Sequence, residues 1–164
     1  NKDPDYTSGC LMIRKGKFYY IVDFRHFRKN PGETTNKIRQ TAELDGTLVP
    51  ICFEREPGSQ GKLLIEYYEN QVLKKFRVKS RRTSGRNKLA RATPFAEAME
   101  NGQIYVVSGN YWVNDFMDEL KAFGREEFHD DMVDAAALAF NYLQGTKSNE
   151  GAKIIGVQKQ SKWR

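Results

Sequence analysis

Residues 129-HDDMVDAAALAF-140 set the strongest constraint on the fold. Met132, Val133, Ala136, Ala137 and Phe140 recur at helical spacing, so the segment from Asp130 to Leu143, closed by Gly145, predicts a helix packed into a core. Yet Asp130, Asp131 and Asp134 crowd its first turn. Aspartate is favoured at an N-cap and near the positive end of the helix dipole, which accounts for one of them and at most two. Three carboxylates within one turn repel by about 4 kcal/mol per pair, at about 4 Å and an effective dielectric of about 20. A bound cation would relieve that repulsion, so capping and metal binding both stand as readings of the cluster.

The remaining pattern predicts an α/β layout. Cys10 to Arg14 and Lys17 to Phe24 read as a hairpin turning at Lys15-Gly16. Pro31-Gly32 reads as a break, followed by a helix over Glu33 to Leu44. Thr47 to Glu54 is a buried strand in which Pro50 suggests a bulge or a late start. A helix over Lys62 to Val72 and a strand over Phe76 to Lys79 follow. Next come a helix over Leu89 to Asn101, a strand over Gln103 to Ser108 and a helix over Trp112 to Phe123, with Trp112 and Phe116 as core. Such alternation favours a mixed central sheet with helices on its faces. One domain over 1–145 is expected, with 146–164 as a basic, flexible tail. The chain opens on Asn1 rather than Met, as a fragment of a longer protein would.

Charge is unevenly placed. The eighteen residues from Lys74 to Arg91 carry nine Lys or Arg and no acid. Taking those nine from 27 bases leaves 18 against 21 acids, so the rest of the chain is acidic. A basic segment of this kind is either a solvated charged face or a polyanion site that neutralises phosphates and releases counterions; the second reading points to Arg81, Arg82, Arg86, Lys88 and Arg91. No apolar run approaches the roughly 20 residues of a membrane span. Cys10 and Cys52 sit among apolar neighbours and read as reduced core thiols.

A hard-metal site needs oxygen donors from several segments. Glu54 and Glu56 stand two apart at a strand end, and Asp3 and Asp5 precede the first visible strand. Two histidines and two scattered cysteines make zinc a poor fit, whereas carboxylates suit Mg²⁺ or Mn²⁺. Acids at strand ends and a helix start, beside a basic segment, predict phosphodiester hydrolysis with two ions about 4 Å apart. Gly58-Ser59-Gln60-Gly61-Lys62 lacks the spacing of a nucleotide-binding loop; a tight turn, with Lys62 reaching a phosphate, is the better reading.

Taken together, 5-DYTSGCLM-12, 17-KFYYIVDFRHFR-28, 54-EREPGSQGK-62, 88-KLARATPFAEAMENGQIYVV-107, 112-WVNDFMDELKAF-123 and 129-HDDMVDAAALAF-140 resemble the C-terminal nuclease domain of the large terminase subunit of tailed bacteriophages. The resemblance implies an RNase H-like fold and a metal-dependent endonuclease that cuts concatemeric double-stranded DNA. It implies Glu56 as the central-strand acid, with Glu54 as the fallback, Asp130 and Asp131 as the paired aspartates of the last helix, and Asp5 as the acid that follows the first catalytic strand; Asp5 and, from the helix-head cluster, Asp134 stand as secondary ligands. It further implies a leading aspartate on a strand upstream of Asn1, an ATPase domain beyond it, portal and small-subunit partners, no membrane, and action in the host cytoplasm. His129 reads either as structural or as an aid to the leaving group. Rival readings are another nuclease of the same fold, of the junction-resolvase or integrase type, and a non-catalytic DNA-binding or docking module.

Overall fold

The computed structural model describes residues 6–83, 88–125 and 129–146, together with the backbone of 151–154. It is a mixed α/β architecture of five α-helices around two sheets. Strands β1 (Thr7–Lys15) and β2 (Phe18–Phe27) form an antiparallel hairpin whose two-residue turn begins at Gly16, with φ of 62°. A side chain would be strained there, which is why glycine turns the chain.

The pairing slips between Leu11 and Met12, so Val22 on β2 is an extra residue. That bulge explains a pattern that regular alternation forbids. Ile21 and Phe24 are three apart, yet both are fully buried in the same cluster, because the bulge returns Phe24 to the inner face.

Helix α1 (Pro31–Asp45) starts two residues before the expected Glu33. Pro31 is its first residue rather than a break: φ is preset there and its missing N–H would have had no helical partner. Asn30 caps the turn, accepting the N–H of Glu33 at 3.0 Å. Strand β3 (Ile51–Arg55) begins directly after Pro50, the late start that residue suggests, and runs parallel to β4 (Val78–Arg82). Between them, α2 (Ser59–Tyr67) continues into a wide π-helical turn over Tyr68–Val72.

Helix α3 (Lys88–Glu100), strand β5 (Ile104–Val106), helix α4 (Val113–Ala122) and helix α5 (Asp131–Gln144) complete the expected order. The larger sheet runs β5-β2-β1-β6, where β6 (Gly151–Ile154) pairs antiparallel with β1 and also lies beside β3. These four residues depart from the expected flexible tail. A four-residue strand opening on glycine offers too little alternation to read.

Two cores result. In the first, α5 buries eight residues against Cys10, Ile21, Phe24, Phe95 and Phe116. Four of those eight are alanines, which let the helix approach the sheet closely. In the second, Ile38 and Ala42 of α1 meet Ile51 and Phe53 of β3 and Tyr68. Strand β3 serves both, since Cys52 belongs to the first core while Ile51 and Phe53 belong to the second. Alternation therefore turns Glu54 toward the same side as Cys52, the side of α3 and α5.

Candidate active site at the head of the last helix

Asp130 is the N-cap residue of α5, but its side chain makes no capping hydrogen bond. The two N–H groups that an N-cap carboxylate would normally accept belong to Met132 and Val133, and they donate instead to Oε2 of Glu119 on α4, at 2.8 and 3.3 Å. Glu119 is thus a cap supplied from another helix. Burial lifts its carboxyl to about 7, against the lowering effect of those two backbone donors, with Asp131 and Asp130 adding to the rise. Asp131 is lifted to about 6, first by burial; Lys88 opposes the shift and Asp130 reinforces it. His129, largely exposed, stands 3.9 Å from Asp131 and edge-on to Tyr6.

Helix α3 brings the opposing charge. Lys88 Nζ contacts Asp130 and lies 2.9 Å from Asp134. Burial alone would lower its pKa, but hydrogen bonds to the two aspartates outweigh that and raise it. One turn further on, Arg91 Nη1 pairs with Glu54. Asn141 of α5 donates to the carbonyl of Arg91 at 3.0 Å, tying the two helices together.

Between these elements lies a cavity of about 300 Å³, lined by Glu54, Arg81, Arg82, Arg91, Asp134 and Asn141, among others. Arg81 is the direct parallel-strand partner of Glu54, and Arg82 that of Arg55. Nε of Arg91 is buried without a hydrogen-bond partner among the described residues. A donor left in that state carries a desolvation penalty that a ligand oxygen would relieve.

Of the two strand-end acids, Glu54 lines the cavity. Glu56 lies beyond the end of β3, is exposed, and is absent from the cavity wall. Its backbone has a packing role: a Cβ at Gly61 would collide with the carbonyl oxygen of Glu56, so glycine is required where α2 meets the end of β3. Lys62 pairs with Glu66 at 3.7 Å on the exposed face of α2, away from the cavity wall. Asp5 and Arg86 lie outside the described residues. Glu119 and Asn141 are the two contributors that sequence reading misses. The one signal for Glu119 is its place three residues after the buried Phe116, which turns it toward α5.

A four-stranded mixed sheet and a two-stranded parallel sheet, flanked by five helices, fit a domain of the RNase H-like class. The chain belongs to the family of the terminase RNaseH-like domain, whose profile matches residues 1–143. No individually curated protein matches it.

Proposed function

We propose that this domain is a divalent-metal-dependent endonuclease that hydrolyses double-stranded DNA within a viral DNA-packaging terminase. The observation that carries the reading is the substituted cap. With Glu119 serving the first turn of α5, helix capping does not explain the carboxylates of Asp130 and Asp131.

The donor chemistry fits Mg²⁺ or Mn²⁺. Glu54 and Asp134 share one cavity wall, and Asp130 joins Asp134 through Lys88. All are hard oxygen donors, with neither Cys nor His prominent among them. Among the described residues, no three Asp, Glu, His or Cys side chains converge as a metal-holding group. Instead Lys88 and Arg91 offset part of the charge on Asp130, Asp134 and Glu54, so positive side chains stand beside the acids that would take a cation.

Glu54, Asp130, Asp131 and Asp134 would hold the metal, with Asp5 and Glu56 as further candidates. Bound there, one or two ions would activate water and stabilise the leaving oxygen. Arg81, Arg82 and Arg91 would take the phosphate oxygens, the unpartnered Nε of Arg91 supplying a donor already desolvated. Family membership supports duplex DNA as substrate, and it supports an ATPase domain, portal and small subunit as partners in the host cytoplasm. Among the described residues no helix is long and apolar enough to cross a membrane.

Plasmid cleavage in Mn²⁺ by wild type and Asp130→Asn tests the proposal. Loss of cleavage with unchanged circular dichroism is expected. Full activity in the variant would discard it, and a strong preference for four-way junctions would move it to the resolvase type.

A further inference from the structure

Helix α3 sets two cations, one turn apart, onto acids of two other elements: Lys88 onto Asp130 and Asp134 of α5, and Arg91 onto Glu54 of β3. Arg91 carries a fork of donors and can hold Glu54 with one nitrogen while others face the cavity. Lys88 is different. Its ammonium is a single point charge, and it takes oxygens of two carboxylates at once. A divalent ion on Asp130 and Asp134 would draw on the same carboxylate charge that Lys88 holds, from the same small space.

We infer that Lys88 is a built-in counter-ion that competes with the divalent ion for Asp130 and Asp134 and is released toward solvent when the ion enters. The inference rests on the proposal that these carboxylates bind metal. It assigns Lys88 a positioning role: it keeps the two acids close and partly neutralised until the ion replaces it, and its flexible stem lets the ammonium withdraw without moving α3. Competition must be reciprocal. The ion weakens the Lys88 pairs by the same factor that those pairs weaken the ion.

Two measurements test this. In the first, Mn²⁺ is titrated calorimetrically into wild type, Lys88→Met and Lys88→Arg. Lys88→Met should bind Mn²⁺ tighter by about fivefold to a hundredfold, the range of such couplings, while Lys88→Arg stays near wild type. In the second, amine acylation of wild-type protein is followed by peptide mass spectrometry. The reactivity of Lys88 should rise when Mn²⁺ is added and stay constant when Ca²⁺-free buffer with EDTA is used instead; this needs no variant to fold. Saturable Mn²⁺ binding with equal affinity in wild type and Lys88→Met, and unchanged Lys88 reactivity, would overturn the competition while leaving the metal site standing. Absence of Mn²⁺ binding in every protein would overturn both.

Discussion

Glu119 accepts the backbone N–H of Met132 at 2.8 Å, across thirteen residues of sequence and between two helices. That single carboxylate decides how the acidic head of α5 is read, because it performs the task that Asp130 would otherwise perform. Glu119→Ala should therefore lower stability by about 0.5–2 kcal/mol, the usual loss for a cap, and should also reduce cleavage by letting Asp130 turn back onto its own helix. Glu119→Gln keeps an acceptor oxygen and should retain most of both. Urea unfolding alongside plasmid cleavage checks this; equal behaviour of the two variants would show that the cap is immaterial.

The choice between the strand-end acids is testable directly. Glu54→Gln should depress cleavage by about a hundredfold or more, as expected when an electrostatic contributor to the transition state is lost. Glu56→Gln, at an exposed position off the cavity wall, should lose much less. Single-turnover cleavage rates distinguish the two, and the reverse order would assign the site to Glu56.

For DNA binding, Arg81→Ala and Arg82→Ala should each weaken affinity for all duplex sequences alike. Each should also reduce the slope of log affinity against log salt by about 1. Fluorescence anisotropy at several salt concentrations measures both. An unchanged slope would move the DNA path away from the end of β4.

Acidity should tune the apo domain. Glu119 and Asp131 have folded values of about 7 and about 6, above their ordinary values of 4.5 and 3.8. The folded state thus binds more protons than the unfolded one between about pH 4 and 7, so this contribution is present at low pH and is lost as pH rises through that window. His26, lowered chiefly by burial, acts in the opposite sense near its ordinary 6.5. In EDTA, melting temperatures of Glu119→Gln should show a flatter fall from pH 5 to pH 7 than wild type. Parallel curves would contradict the assignment.

Much of the architecture is visible in the sequence because local periodicity encodes it. The stripe Phe116–Leu120 and the run Met132–Phe140 each declare a buried helix face, and alternation declares the β1–β2 hairpin. What stays hidden depends on partners distant in sequence. The bulge at Val22 follows from pairing with β1, and the strand at Gly151–Ile154 exists through the edge that β1 offers. Glu54 and Glu56 share a parity, so only the end of β3 at Arg55 distinguishes them. Lys88 and Arg91 read from the sequence as phosphate contacts, while their carboxylate partners lie 42 and 37 residues away and leave no local signal.

In the proposed function, Glu54 and the aspartates at the head of α5 hold a divalent cation. Anomalous diffraction from crystals of the domain soaked in Mn²⁺ measures this most directly. A peak is expected within about 2.1 Å of oxygens from both Glu54 and the Asp130–Asp134 cluster, the distance typical of such ions. No peak there, or a peak confined to other carboxylates, would contradict it.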